Sequence, residues 1–151
     1  MSDADDLARR CVAAMWEADS ASRGLGMRLE SVAAGTARVS MPVTAAMVNG
    51  HGLCHGGFIT ALADSAFAFA CNTYDDVTVA AGLDVTFVTS ARLGDELVAE
   101  AVERVRAGRS GLYDVTVRRR GDSGPPVAEV RGRSRSLGRP ILTPGGISDE
   151  V

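Results

Sequence analysis

The sequence predicts an α+β domain in which an antiparallel sheet wraps a long central helix. Three observations carry this. Residues 57–71 form a stretch that is apolar on every side, interrupted by one carboxylate, Asp64. Two alternating strand candidates precede that stretch and four follow it. At 151 residues with 46% hydrophobic and 23% charged content, the chain suits one soluble domain with one core. Strands segregated from a helix in this order fit α+β rather than alternating βαβ units. A helix apolar all round needs cover all round, and a curved sheet supplies most of it.

Each element has its own signal. Leu7, Cys11, Ala14 and Met15 recur at helical spacing after an acidic start, predicting a short amphipathic helix over 5–18. Residues 1–23 are assigned to this amino-terminal helical segment. Met27 to Ala34 and Thr36 to Val43 read as a hairpin turning at Ala34-Gly35, with Ala37, Val39 and Met41 alternating against Thr36, Arg38 and Ser40. A loop over 44–57 leads into the central helix. Val77 to Val88 is rich in Val, Thr and Phe, and stops before the turn-like Arg92-Leu93-Gly94-Asp95. Leu97 to Arg106 suits helix or strand by composition, but the alternation Val98, Glu100, Val102, Arg104 favours strand. Leu112 to Arg119 and Val127 to Leu137 flank the turn Gly121-Asp122-Ser123-Gly124-Pro125-Pro126. The core domain therefore covers 24–138, and 139–151 form a tail expected to be loose beyond Pro140.

Charge narrows the function. Sixteen basic residues against nineteen acidic give a net charge of −3, so no global basic field recruits nucleic acid. Ten arginines lie between Arg104 and Arg139. They read as solvated strand faces and edge protection, or as a grip on the phosphates of an anionic ligand. Three cysteines, Cys11, Cys54 and Cys71, sit in apolar contexts and suggest reduced thiols in the cytoplasm. The acidic start lacks the positive region of a secretory signal, and the apolar run is too short to span a bilayer.

The chemistry concentrates in Asn49-Gly50-His51-Gly52-Leu53-Cys54-His55-Gly56-Gly57 and the helix after it. Both histidines and two of the three cysteines lie there. Gly56 and Gly57 open the helix, where backbone amides lack intrahelical partners and the dipole is positive. Such amides suit the oxygen of a carbonyl and the charge that develops on it. Asp64 stands eight residues on, about 12 Å along the axis at about 1.5 Å per residue, so it cannot act on a carbonyl held at its own helix start. Two antiparallel copies of the helix about a two-fold axis would bring each Asp64 near the other's Gly56. A metal reading of His51, Cys54 and His55 fails because adjacent Cys54 and His55 cannot easily face one ion. Ser65 is no nucleophile either, since no Gly-x-Ser-x-Gly turn holds it.

Asn49-Gly50-His51, His55-Gly56-Gly57, Leu62-Ala63-Asp64-Ser65-Ala66-Phe67-Ala68 and Ala70-Cys71-Asn72 resemble the signature of the phenylacetate-degradation (PaaI-type) acyl-CoA thioesterases, which have the hotdog fold. Leu93-Gly94-Asp95, the segment 108–115 and the segment 127–134 continue the likeness in order. The resemblance implies a sheet wrapped around the central helix, and dimers or tetramers with active sites shared between subunits. It implies hydrolysis of an aryl or medium-chain acyl-CoA, of phenylacetyl type, with coenzyme A as part of the substrate and no other cofactor. Asp64 would be nucleophile or general base, the Gly56 amide would polarise the thioester carbonyl, and Asn49 would orient thioester or water. His55 and Gly57 would shape the same loop. Thr86 or Asp84 would supply an auxiliary polar group, and Arg109 and Arg133 would meet the phosphates of coenzyme A. Where many relatives carry an Arg-Pro or similar pair after that strand, this chain has Thr89-Ser90. A hotdog hydratase or dehydratase and a non-catalytic acyl-CoA-binding protein are the alternatives. The hydratase would be expected to pair His with Asp or Glu, whereas this helix offers only Asp64.

Overall fold

Alternation in the strands decides which face becomes the core. In the computed structural model, which describes residues 2–142, Ala37, Val39 and Met41 of one strand are buried, as are Tyr113, Val115 and Val117 of another. Each fully buried Val, Leu or Met contributes about 1.5–3 kcal/mol relative to exposure. The elements are α1 (Asp3–Ala18), α2 (Ser20–Gly24), β1 (Arg28–Ala33), β2 (Thr36–Pro42), a single 3-10 turn (Ala45–Met47), α3 (Gly56–Cys71), β3 (Thr78–Phe87), β4 (Glu96–Ala107), β5 (Ser110–Arg119) and β6 (Ala128–Ser136). One six-stranded sheet runs β1-β2-β4-β5-β6-β3, with every neighbouring pair antiparallel. The chain enters α3 after β2 and then crosses to the far edge as β3. Helix α3 touches all six strands, so the sheet curls around it.

The predicted order of elements holds, and Leu97–Arg106 is strand. Two details differ. The amino-terminal segment folds as two helices, because the Asp19 side chain caps a second short turn by accepting from the Ser22 backbone N–H at 2.9 Å. Five residues are too few to give a periodic signal. The tail begins firmly: Ile141 is buried, and the backbone N–H groups of Ile141 and Leu142 both donate to Asp75 Oδ1, at 2.9 and 2.8 Å. The rest of the predicted tail, 143–151, lies outside the described residues.

The arginine-rich strands bear out the surface reading for most of their charges. On the outer face Arg104 and Arg131 both pair with Asp114, Arg38 bridges Glu30 and Glu100, and Arg120 reaches Glu30 and Glu96. Exposed pairs of this kind contribute about 0–1 kcal/mol each.

Cover of α3 is incomplete among the described residues. Ile59, Leu62, Ala63, Ala66, Phe67, Phe69 and Ala70 are buried, but Gly57, Thr60, Ala61, Asp64, Ser65 and Ala68 form a half-exposed or exposed stripe. At the other end Asn72 ties the helix to the start of β3. Its Nδ2 donates to the carbonyls of Ala68 and Thr78, and its Oδ1 accepts from the Thr78 N–H, all at 2.8 Å. Asn72 is 3% exposed, so Asn72→Ala is expected to strand buried polar groups at about 1–3 kcal/mol each. A denaturant titration with a change under about 0.5 kcal/mol would show that water replaces these bonds.

Candidate active site

The loop before α3 is held by its own backbone. Asn49 Oδ1 accepts from the N–H groups of His51 (2.9 Å) and Leu53 (3.2 Å), and the Asn49 N–H donates to the Leu53 carbonyl at 2.8 Å. This is an Asx-type turn, completed by Gly52 at φ +75°. Its effect is directional. With the carbonyl oxygen occupied, the side-chain NH₂ of Asn49 is the end left to donate outward. The loop is pinned further by Cys54 N–H to the Ala91 carbonyl and His55 N–H to the Met47 carbonyl, both 2.8 Å.

His55 is the N-cap of α3, and its Nδ1 accepts from the Gly57 N–H at 3.5 Å. The Gly57 amide is thereby occupied. The Gly56 N–H has no acceptor among the described residues and stands at the positive end of the helix dipole. A Cβ on Gly56 would lie 2.8 Å from the ring of Phe87, so glycine lets that ring close over the helix start. Asn49 and Gly56 border one open cavity of about 370 Å³, walled by Leu53, Cys54, Ile59, Phe87 and Val88, with Thr89 and Ser90 at its edge. Phe87 is 52% exposed, so an aromatic face remains available there.

Asp64 does not border that cavity. It lies on the uncovered stripe of α3 with no hydrogen-bond or ion-pair partner among the described residues. Burial holds its carboxyl above the usual carboxylate range, and the negative charge of Asp19 pushes in the same direction. The structure thus brings Asn49, His55, Gly56 and Gly57 together and leaves Asp64 two turns away.

The remaining predicted residues lie elsewhere. Thr86 sits opposite Glu129, on the face of β3 turned away from α3, and Asp84 shares that face. Arg133 lies across Gly82 on the same side and donates from Nη1 to Asp84 at 2.6 Å. Arg109 is in the β4–β5 turn, beside a small polar cavity of about 60 Å³ at the carboxyl end of α3. No group of three or more His, Cys, Asp or Glu is placed to hold a metal ion among the described residues. Two residues escaped the sequence reading: Phe87, whose only signal was a large aromatic ending an edge strand, and Asp19, whose link to α3 is long-range and carries no local signal.

A sequence profile of the thioesterase superfamily matches residues 51–125. The acyl-coenzyme A thioesterase PaaI of Escherichia coli K12 is 39% identical over 128 residues, spanning 85% of this chain and 90% of that one. This chain belongs to the PaaI-type thioesterases. The solved structure of the Escherichia coli PaaI protein from the phenylacetic acid degradation operon superposes with a TM-score of 0.87 at 36% identity, covering 91% of this chain and 99% of that one. A mutant structure of the phenylacetic acid degradation protein PaaI from Thermus thermophilus gives a TM-score of 0.74 at 35% identity, over 79% of this chain and all of that one. The fold is therefore the hotdog fold of these thioesterases, and the chain is a thioester hydrolase. Among the described residues no helix is long and apolar enough to cross a membrane.

Proposed function

We propose that the protein hydrolyses aryl or medium-chain acyl-coenzyme A thioesters, of phenylacetyl type, in sites shared between two subunits. One observation supports this most. Two donors without partners among the described residues, the Gly56 amide and the Asn49 NH₂, belong to residues that border one largely apolar cavity, while the carboxylate their chemistry needs stands about 12 Å away on the exposed stripe of the helix. A two-fold related α3, antiparallel to the first, covers that face and brings Asp64 of the partner subunit to Gly56. The outer edge of β3, unpaired among the described residues, gives the two copies a second place to join. A dimer is the smallest unit that works, and a tetramer pairs two of them.

In this site the thioester carbonyl oxygen accepts from the Gly56 N–H, and Asn49 orients thioester or water. As general base, Asp64 takes a proton from water as the water oxygen bonds to the carbonyl carbon. The tetrahedral intermediate then breaks its C–S bond, and the departing thiolate takes up a proton as coenzyme A. As nucleophile, the Asp64 carboxylate bonds to that carbon, expels the thiolate and leaves an anhydride that water hydrolyses. Phe87, Ile59 and Val88 give the acyl group apolar walls, and an aryl group has a ring to stack on. His55 sets the loop by capping the Gly57 amide. Arg133 is occupied by Asp84, so Arg109, without an acidic partner among the described residues, is the better placed for a phosphate. Thr86 and Asp84 face away from their own α3, so an auxiliary role requires the assembled oligomer. Three free cysteines support a cytoplasmic setting.

The test is a panel of acyl-CoA thioesters followed with a thiol-reactive dye. Phenylacetyl-type substrates are expected to release free thiol fastest. Binding without thiol release would identify a binding protein, and a hydrated enoyl group with the thioester intact would identify a hydratase. Site sharing has its own measurement. Asp64→Asn and Asn49→Ala proteins, each impaired alone, should regain about a quarter of the wild-type rate after subunit exchange, since about half the random dimers are mixed and each holds one intact site. No recovery after proven exchange would place the whole site in one chain.

A further inference from the structure

The amino-terminal segment meets α3 through a chain of hydroxyl groups beside Asp64. Ser22 of α2 is 2% exposed. Its Oγ donates to Asp19 Oδ2 at 2.6 Å and lies 2.7 Å from Ser65 Oγ. A serine hydroxyl carries one proton and an ionised carboxylate only accepts. With the Ser22 proton given to Asp19, the proton between the two serines belongs to Ser65. The order is therefore fixed: Ser65 donates to Ser22, and Ser22 donates to Asp19. Asp19 Oδ1 accepts from the Ser22 backbone N–H at 2.9 Å, so both carboxylate oxygens are held. Ser65 follows Asp64 directly on the same stripe of α3.

Among the described residues no cation offsets the resulting pair of carboxylates. The strand faces packed on α3 present Ala37, Val39 and Met41 from β2, Leu97, Ala99 and Ala101 from β4, and Val115 and Val117 from β5. The β3 and β6 faces present Leu83, Val85, Ala128, Val130 and Ser134, and β1 presents Leu29 and Val32. Tyr113 of β5 is the exception, and its hydroxyl is bound to Glu103 and kept neutral by burial. Cys71, further along α3, is pushed up to about 12 by burial and is also neutral. Arg23 of α2 turns its guanidinium to the Glu17 carbonyl.

We propose that Asp19 is a positioning residue for the thioester reaction: through Ser22 and Ser65 it fixes the turn of α3 that carries Asp64, and it holds a second negative charge beside that carboxylate. This rests on Asp64 being the reacting carboxylate. A neighbouring negative charge favours proton uptake, so Asp19 makes Asp64 a stronger base. The two amino-terminal helices, joined at Asp19, are then part of the active-site machinery.

The experiment uses the full-length oligomer with a ¹³C-labelled aspartate carboxyl, assigned with Asp64→Asn. Trp16, the sole tryptophan, packs on Phe69 of α3 with ring centroids 5.9 Å apart, so its emission reports whether the amino-terminal segment is seated. In Asp19→Asn, Trp16 emission should be unchanged. The Asp64 titration midpoint and the acid limb of kcat/KM should both move to lower pH, with the plateau rate falling by less than about tenfold. Asp19→Glu should restore both pH values. An unmoved midpoint with Trp16 seated overturns the proposal. So does unseating of Trp16 in Asp19→Asn, since the aspartate would then serve docking alone. An Asp19→Glu protein that titrates like Asp19→Asn also overturns it. The carbon titration needs no turnover, so an active Asp64→Asn enzyme would refute the catalytic reading separately.

Discussion

Asp64→Asn is expected to lower kcat/KM by about 10²–10⁴-fold, the range for loss of a positioned acid–base group, while leaving the fold intact. The same substitution should act on stability in an unusual direction. Asp64 is half-buried with no partner among the described residues, and burial first, then Asp19, raises its carboxyl above the ordinary range. A carboxyl whose folded pKa is raised contributes stability that is complete below its unfolded pKa of about 3.9 and is lost as pH rises through the folded value. At neutral pH the wild type therefore carries a penalty that the neutral asparagine avoids. The variant should melt at the same temperature or higher near pH 7, and its advantage should shrink as pH falls toward the ordinary carboxylate range. The wild-type kcat/KM profile should lose activity on an acid limb lying above that range. Normal turnover by Asp64→Asn would refute its catalytic role. A variant markedly less stable than wild type at pH 7 would show that the carboxylate has a structural partner in the oligomer.

How much of this was legible in the sequence depends on the range of the interaction involved. The strands were readable because alternation is local: Ala37, Val39 and Met41 needed no knowledge of what they pack on. The helix start was readable because free amides and a dipole follow from chain geometry alone. The distance from Gly56 to Asp64 follows from helical rise in the same way. What lay hidden was tertiary. Nothing in Asp19-Ser20-Ala21-Ser22 announces a contact with Ser65, 43 positions on from Ser22. Composition alone leaves Thr86 and Asp84 equivalent, because register is not a local property, and pairing with Glu129 turns Thr86 away from its own α3. Phe87 borders the cavity through the same alternation, one residue further along. The position of Asn49 in the loop before α3 is plain in the sequence, but which end of its amide faces outward depends on two backbone N–H groups within its own loop.

Phe67→Ala is expected to cost the largest amount of folding free energy, about 3–5 kcal/mol, because a fully buried ring leaves a space its neighbours cannot fill. Phe67 is 0% exposed on α3 and meets Tyr113 edge-on, with centroids 5.5 Å apart and planes at 61°. On its other side it presses against Gly132 of β6, where a Cβ would fall 2.7 Å from the ring. Gly132 is paired on both sides, with Leu83 and with Tyr113, so β6 cannot easily draw back. For a domain of this size the loss corresponds to a fall in melting temperature of roughly 6–20 °C. Gly132→Ala alone should cost about 1–3 kcal/mol by forcing a methyl into the same ring. The two changes should not add. In the double variant the clash is gone and the new methyl occupies part of the vacated space, so the pair should be no less stable than Phe67→Ala by itself. Denaturant unfolding at matched protein concentration checks this, since association also contributes to the apparent stability of an oligomer. Strict additivity would mean that Gly132 is required for strand geometry rather than for room beside Phe67, and that the close approach of β6 to α3 is set by another contact.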